Sequence, residues 1–398
     1  MLRRARALRS RLREQQEESN QRGTYSPEMH EAFRDAGFYR ICQPRMFGGY
    51  EFDLPTFYRV MIEVSRGHPS AGWCLTLAAS HAFAIASHWG EDAQREIFGP
   101  YGEFVAPHRA LPSGTARKAD GGYIVNGTWG YASGIPYSTH LVATTLIDDG
   151  DGRRPRAVNF VVPRSNYTIL DDWGGDSTLG MRASGSNSAR LDDVFVPSHH
   201  IVDFPSFYAL PDSMKDGTPG TRLHGNPMYL GRLMAPYHAS LVAPVIGAAR
   251  AAIDEYEKII NSETTIFPPF VLRRDHYDFQ RNFGYAIMLT DSAEALLLQA
   301  CEQLMEKCHE WQASGKPVTL DDNLRLWGML QTAGRIACDA TELLFQTAGT
   351  TAARKGQPLQ QYFSDVQMYR GHPSAQYLAF GPYIARSQLG MRIGLMDM

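Results

Sequence analysis

The sequence has few cysteines, little net charge and no long apolar run. Five cysteines occur among 398 residues and none forms a CxxC pair, so we expect reduced thiols and place the protein in the cytoplasm. The formal net charge of -3 gives no reason to expect nucleic acid or an anionic membrane as a partner. The longest apolar stretches, such as residues 239–249, are interrupted by Pro244 and Gly247. They fall short of the ~18 residues that a membrane span needs.

Signatures of nucleotide and metal binding are also missing. No GxGxxG follows a strand and no GxxxxGKS or GxxxxGKT loop occurs, so neither a Rossmann site nor a P-loop is indicated. His81 and His88 share one helix face, but two ligands do not hold a metal ion and no cluster has metal-ligand spacing, so we expect no metal. The arginine-rich residues 1–13 are followed by acidic residues, which favours a surface helix over a targeting peptide.

The residue pattern changes twice along the chain, and these changes predict three structural units. The first part has helical periodicity, the middle has short runs rich in valine, threonine and aromatics, and the last part has long helical stripes. Glycine and proline are frequent in the stretch before the last part, which predicts a connector. The predicted units are an N-terminal helical domain (1–104), a middle β-domain (105–205), a connector (206–228) and a C-terminal four-helix bundle (229–398).

Particular elements follow from caps and periodicity. Ser26 before Pro27 is typical of a helix start, and residues 54–65 and 70–89 predict two further helices, the second apolar nearly all round and therefore buried. Strands are predicted at 123–125, 141–146, 157–162 and 193–196. The bundle helices are predicted at 230–260, 275–314, 321–347 and 359–396.

Two segments of the middle unit resemble a known family. Residues 121–134, GGYIVNGTWGYASG, are similar to the GGYxVxGxWxFxSG segment of the acyl-CoA dehydrogenase superfamily. Residues 180–186, GMRASGS, are similar to its GxRxTGS loop and lead to a strand that ends in VFVP. Residues 245–250 and 343–349 are similar to its bundle helices. The resemblance implies an α+β fold of the acyl-CoA dehydrogenase type: N-terminal helices, a middle β-barrel or sheet domain and a C-terminal four-helix bundle.

The catalytic carboxylate of an acyl-CoA dehydrogenase is missing. One branch of the family takes a proton with the glutamate of a QIYEGT segment, but residues 367–372 here read QMYRGH. Arg370 stands in the place of that glutamate, and an always-charged guanidinium is no base. A second branch places its glutamate on the first bundle helix, where Tyr237 stands here. The resemblance therefore favours a different branch, the oxygenase components of two-component flavin-dependent monooxygenases.

That branch hydroxylates compounds such as 4-hydroxyphenylacetate and phenolic steroid intermediates. The resemblance implies an enzyme that receives reduced FMN or FAD from a separate NAD(P)H-flavin reductase, reacts with O2 through a hydroperoxyflavin and hydroxylates a small aromatic, most simply phenolic, substrate. It also implies a homotetramer. Two alternatives stay open: a dehydrogenase-like desaturase or oxidase with a relocated base, and a non-catalytic flavin-fold scaffold.

The resemblance assigns chemistry to three side chains. His372 matches in position the histidine beside the flavin, and an imidazole exchanges protons near neutral pH. His108 and Ser133 match the residues that contact the substrate hydroxyl, where a base helps because the phenolate is hydroxylated more easily than the phenol. His81 and Tyr237 complete the predicted substrate site.

The flavin is predicted to lie against the middle domain. Trp129 is expected to offer a flat apolar surface, with Tyr131 and Ser133 on one strand face two residues apart. The family's PLQRxxRD segment reads PLQQYFSD at 358–365 and lacks both arginines, which predicts an altered phosphate contact. Candidates for holding the cofactor phosphate, some of them reaching from a neighbouring subunit, are Arg182, Ser184, Ser186, Arg273, Arg274 and Gln346.

Overall fold

The computed structural model describes residues 1–100, 102–148, 155–203, 216–231 and 234–393. N-terminal helices, a central sheet and C-terminal helices follow one another along the chain, which confirms the predicted α+β architecture. The helices in these ranges are all too short or too polar to cross a bilayer. The predicted connector falls partly on residues 204–215, which lie outside the described residues, and its later part contains a short helix.

The N-terminal unit is built from helices that pack around one long buried helix, α5. Ser26 caps α3 by accepting a hydrogen bond from the backbone N–H of Met29, as the sequence predicts. α5 is almost entirely buried, and half of its residues are alanine, serine or glycine. These small side chains allow the neighbouring helices to approach closely. The helices are α1 (Leu2–Glu14), α2 (Gln16–Arg22), α3 (Pro27–Asp35), α4 (Leu54–Gly67), α5 (Pro69–His88) and α6 (Glu91–Phe98).

The middle unit is a mixed sheet that packs on its own apolar core. The four predicted strands lie within β3, β4, β5 and β7, whereas the shorter β1, β2, β6 and β8 had no clear signal in the sequence. The path through the sheet is β6-β7-β3-β2-β4-β5-β8, with β1 paired to β4 in parallel. The strands are β1 (His108–Arg109), β2 (Thr115–Ala119), β3 (Gly122–Trp129), β4 (His140–Ile147), β5 (Arg156–Pro163), β6 (Thr168–Ile169), β7 (Ala189–Pro197) and β8 (Ile201–Asp203).

The C-terminal unit contains three long helices and a fourth that is broken. The prediction of one helix over 359–396 is wrong, because α11 ends at Arg370 and α12 begins at Tyr377. Pro373 lacks the N–H that a continuous helix needs, and the residue before a proline avoids the α conformation. His372 lies in this break. The helices are α7 (Pro219–His224), α8 (Met234–Ser262), α9 (Tyr277–Ser314), α10 (Leu320–Ala348), α11 (Pro358–Arg370) and α12 (Tyr377–Gln388).

Candidate active site

Three serine hydroxyls and an indole form a connected chain of hydrogen bonds. The Nε1–H of Trp73, on α5, donates to Ser133 Oγ at 3.3 Å. Ser133 Oγ lies 2.7 Å from Ser186 Oγ, which lies 2.6 Å from Ser184 Oγ. A hydroxyl has one donor and two acceptor sites, so each of these serines keeps capacity for a further partner. This hydroxyl chain (Ser133, Ser184 and Ser186) unites three of the predicted residues in one place.

His372 lies beside the same indole. The ring centroids of His372 and Trp73 are 6.1 Å apart. The backbone N–H of Ser374 donates to His372 Nδ1 at 3.1 Å, so a neutral ring carries its proton on Nε2. Burial, aided by the charge of Arg109, lowers the pKa of His372 to about 4. At neutral pH this side chain is therefore a neutral hydrogen-bond donor through Nε2.

His108 is held from both sides by other side chains. Its Nε2 lies 3.2 Å from Asn159 Oδ1, which also accepts the hydroxyl of Thr144 at 2.6 Å. Because an amide oxygen only accepts, Nε2 carries the proton and Nδ1 accepts from the hydroxyl of Tyr237. Burial and the neighbouring His81 lower the pKa of His108 to about 3, so the ring is neutral. A phenol hydroxyl that donates to an imidazole is therefore already present in the structure.

His81 packs against this pair. Its ring centroid is 5.5 Å from that of His108 and 5.2 Å from that of Tyr237. Its Nδ1 donates to the carbonyl of Ala106 at 2.8 Å, and burial lowers its pKa to about 4. The three rings form what we call the ring cluster (His81, His108 and Tyr237), in which the structure unites the predicted substrate-site residues from α5, β1 and α8.

The structure contradicts the role given to Trp129. This side chain is fully buried in the β-domain core, where its Nε1–H donates to the carbonyl of Thr144 at 2.9 Å and its ring meets Phe160 edge to face. It offers no open surface to a ligand, because the pleat of β3 turns it inward.

Tyr131 and Ser133 are also not on one strand face, because β3 ends at Trp129. Tyr131 adopts a φ of 57° and leaves 61% of its surface exposed. A positive φ is uncommon for a bulky residue and is often retained at functional sites. The open aromatic face predicted for Trp129 thus belongs to Tyr131, which meets Trp173 at 5.5 Å between ring centroids.

Arg182 contacts three acceptors of its own chain. Its Nε donates to the carbonyl of Gly175, and its terminal nitrogens lie 3.1 Å from Asp176 and 3.7 Å from Glu17. Arg370, in the place of the dehydrogenase glutamate, donates at 2.6 Å to both Asp339 and Glu342. It is a structural cation on the bundle.

The three other phosphate candidates, Arg273, Arg274 and Gln346, have partners in their own chain, and within the described residues none of these contacts links them to the hydroxyl chain. Arg273 donates to the carbonyl of Ala348 at 2.7 Å and pairs with Glu263 at 2.6 Å. Arg274 donates to Asn261, and the exposed Gln346 donates to Glu342. The contact between Arg273 and Ala348 places all three near the end of α10, and their reach toward a neighbouring subunit stays a prediction.

A buried carboxylate anchors the loop that carries two of the serines. Asp365 Oδ1 accepts the backbone N–H of Met181 at 2.6 Å. Among the described residues Asp365 Oδ2 has no hydrogen-bond partner, and burial raises the pKa of this carboxyl to about 7. Asp365 ends the PLQQYFSD segment, so that segment holds residues 180–186 in place even though it lacks the family's arginines.

Sequence reasoning missed two residues that contribute to the site. Trp73 lies in a helix that reads as uniformly buried, and only its size among small neighbours distinguishes it. Arg109 follows the predicted His108, and its charge helps to lower the pKa of His372. Burial lowers the pKa of Arg109 itself, and its interaction with Tyr131 opposes that shift. The site therefore contains a cation, an exposed aromatic ring, a neutral donor imidazole and free hydroxyl capacity. This donor set fits a flavin, which needs an aromatic plane and polar groups at its pyrimidine edge and central ring.

Comparisons with known proteins identify the family. Family models match the acyl-CoA dehydrogenase N-terminal domain over residues 3–101 and its C-terminal domain over residues 239–377. The flavin-dependent monooxygenase oxygenase subunit HsaA of Rhodococcus jostii (strain RHA1) is 27% identical over 383 residues, covering 94% of this chain and 95% of that protein. The oxygenase component of the FADH(2)-dependent resorcinol hydroxylase of Rhizobium sp. (strain MTP-10005) is 26% identical, covering 90% and 87%.

The solved structure of XiaF from Streptomyces sp., in complex with FADH2, superimposes on this chain with a TM-score of 0.88 at 21% identity, covering 98% of this chain and 95% of that one. At this identity the likeness concerns the fold, and it extends over nearly the whole chain. With the family matches at both ends and relatives along its length, the chain belongs to the acyl-CoA dehydrogenase superfamily, in its branch of two-component flavin-dependent monooxygenases.

Proposed function

We propose that this chain is the oxygenase component of a two-component system that hydroxylates a small phenolic or other aromatic molecule. The observation that carries the proposal is the pairing of two neutral histidines with different partners. His372 offers an N–H and contacts the indole of Trp73, which donates to the hydroxyl chain. His108 already accepts a hydrogen bond from a phenol, the side chain of Tyr237. One supplies a donor and the other supplies an acceptor, as a hydroxylation needs.

The cofactor would be reduced FMN or FAD, delivered by a separate NAD(P)H-dependent reductase. The residues that would hold it are the exposed ring of Tyr131, the hydroxyl chain and Arg109. When bound, reduced flavin supplies the electrons that activate O2 so that one oxygen atom is transferred. The chain's own contribution is to orient the cofactor and to exclude water from the buried hydroxyls of Ser184 and Ser186.

His372 would hold the reacting oxygen by a hydrogen bond from its Nε2–H and would keep that proton. The contact with the Ser374 N–H fixes the tautomer, because a proton on Nδ1 would point at another N–H. Burial keeps the ring neutral, since its pKa is lowered to about 4. A neutral donor takes part in a hydrogen bond without adding a second buried charge beside Arg109.

The ring cluster would receive the substrate. A phenol that donates to the hydroxyl oxygen of Tyr237 can lose its proton as the hydroxyl of Tyr237 passes its own proton to His108 Nδ1. The phenolate that forms is an opposite charge close to the new imidazolium, and this attraction offsets the burial that lowers the pKa of His108. Asn159 holds the imidazole in the tautomer that this step requires. His81 packs against the rings of His108 and Tyr237, and its Nδ1 is anchored to the backbone. The electron-rich phenolate is then the species that accepts oxygen.

Assembly as a homotetramer and a cytoplasmic location are parts of the same proposal. The loop between α8 and α9 exposes Ile266, Phe267 and Phe270, each with more than 70% of its surface open, and α9 exposes Met288. Exposed apolar side chains that are grouped in this way are typical of a contact with another chain. Light scattering of the purified protein tests the assembly, and a monomer in solution would contradict it.

The function is tested by mixing the protein with chemically reduced FMN or FAD, O2 and simple phenols such as resorcinol and 4-hydroxyphenylacetate. We expect a hydroxylated product, and we expect His372→Ala to divert the oxygen to hydrogen peroxide. His309→Ala, which changes an exposed histidine on α9, is the matched control and should behave as the wild type. Reduction of bound flavin by a substrate without O2 would instead support the desaturase alternative.

A further inference from the structure

Three side chains from two units converge at a place that contains none of the residues proposed for the active site. Glu96 lies on α6, and His199 and His200 lie on the turn between β7 and β8. Glu96 Oε2 is 3.0 Å from His199 Nε2 and 2.9 Å from His200 Nε2. The three atoms all lie within 4.8 Å of one another. Two imidazole nitrogens therefore point at one carboxylate oxygen.

The two histidines present nitrogen atoms that can act as metal ligands. An imidazole nitrogen that carries no proton offers a lone pair, as a carboxylate oxygen does. Both Nε2 atoms and Glu96 Oε2 lie close together here, so one cation can share their lone pairs.

A single metal ion can accept a lone pair from each of these three atoms, because imidazole nitrogen and carboxylate oxygen are usual ligands of such ions. Zinc ligands lie about 2.0–2.2 Å from the ion, so two ligands of a tetrahedral site lie about 3.3 Å apart. The observed 2.9 and 3.0 Å contacts need only a few tenths of an ångström of widening.

The site is also held in place before any ion binds. The backbone carbonyl of His200 accepts the Nε1–H of Trp89 at 3.0 Å, and His200 is 9% exposed. The rings of His199 and His200 meet edge to face with centroids 4.7 Å apart. The sequence gives no sign of this site, because Glu96 and His199 are 103 residues apart in the chain.

We propose that Glu96 Oε2, His199 Nε2 and His200 Nε2 bind one divalent transition-metal ion of the zinc, nickel or copper class, with water completing the coordination. Two imidazoles exclude magnesium and calcium, which prefer all-oxygen sites. The ion would join α6 to the β7–β8 turn and so stabilise the junction between the N-terminal helices and the sheet. None of the residues proposed for oxygen chemistry takes part, so the two proposals stand independently.

The experiment is zinc binding to the full chain after treatment with EDTA, measured by isothermal titration calorimetry, with Mg²⁺ as the hard-cation comparison. We expect one zinc per chain, no magnesium binding and a higher melting temperature with zinc. Glu96→Gln and His199→Ala should each weaken zinc binding at least about tenfold, the smallest loss that removal of even an outer partner brings. His309→Ala should leave binding unchanged.

A second measurement identifies the ligands. Bound Cu²⁺ should show coupling to two nitrogens in its electron paramagnetic resonance spectrum, and to one nitrogen in His199→Ala. Zinc affinity that is the same in the wild type, Glu96→Gln and His199→Ala would overturn the proposal, as would the absence of zinc binding by the wild type. Circular dichroism checks that each variant is folded, and His199→Gln replaces His199→Ala if the latter is not.

Discussion

Tyr237→Phe tests the proton transfer from the substrate through Tyr237 to His108, the step that distinguishes this site from a simple substrate pocket. The substitution removes one hydroxyl, keeps the ring and leaves His108 bound to Asn159. A hydrogen bond of this kind contributes about 0.5–1.5 kcal/mol, so the KM for a neutral phenol should rise by roughly 2- to 13-fold. Loss of the proton path to His108 should lower kcat by about 100-fold, the lower end of what acid–base catalysis provides.

The assay compares two classes of phenol under the same conditions. A nitro-substituted phenol that is already ionised at the assay pH needs no base, so Tyr237→Phe should retain most of its kcat on that substrate. An unsubstituted phenol should show the full loss. Tyr285→Phe, which changes an exposed tyrosine on α9, is the matched control and should equal the wild type on both substrates.

The reasoning is refuted if Tyr237→Phe loses the same factor on ionised and neutral phenols. Such a result would mean that Tyr237 shapes the cavity but carries no proton. An unchanged kcat on both substrates would equally remove the path through His108. Product and hydrogen peroxide are measured together, so that a change in coupling is separated from a change in rate.

Two other predictions concern acid stability and the two tryptophans. Burial lowers the pKa of His372 to about 4 and that of His108 to about 3, so the unfolded chain binds protons below pH 6.5 that the folded chain does not. The free energy of unfolding should therefore be highest above pH 6.5 and fall as the pH drops toward 4. His372 alone should account for about 3 kcal/mol of this fall. A free energy of unfolding from urea denaturation that does not change over this pH range would contradict the prediction. Trp129→Phe should lower the free energy of unfolding by about 1–3 kcal/mol and leave flavin affinity unchanged. Trp73→Phe should weaken flavin binding by roughly 2- to 13-fold, because it removes the N–H that Ser133 accepts. Flavin affinity is measured by equilibrium dialysis. Weaker binding by Trp129→Phe and unchanged binding by Trp73→Phe would mean that the flavin lies against Trp129 after all.

Local chemistry explains which parts of the fold were predictable. The cap at Ser26 and the long helices have strong signals, since capping and a 3.6-residue period act within a few residues. The break at His372 was missed, although Gly371 and Pro373 mark it, because apolar residues continue on both sides. The short β1 and β6 contain two residues each, too few for any alternation to be visible.

The site was predictable only where a motif or a family position marks a residue. Ser133, Ser184 and Ser186 were found because they lie in recognisable segments, and the structure brings them together. Trp129 was assigned wrongly, since the sequence shows that an aromatic ring is present but not which way the strand turns it. Arg109 and Trp73 join the site only through contacts between distant parts of the chain, which no local pattern reports.

The central claim is that the chain transfers an oxygen atom from O2 to an aromatic ring with electrons from reduced flavin. The most direct test is a single turnover with chemically reduced flavin, a phenol and O2 labelled with oxygen-18, followed by mass spectrometry of the product. The account predicts that the product gains one labelled oxygen atom and that His372→Ala forms hydrogen peroxide in its place. A phenol that comes back unlabelled with either flavin, or one that is oxidised without O2, would contradict it.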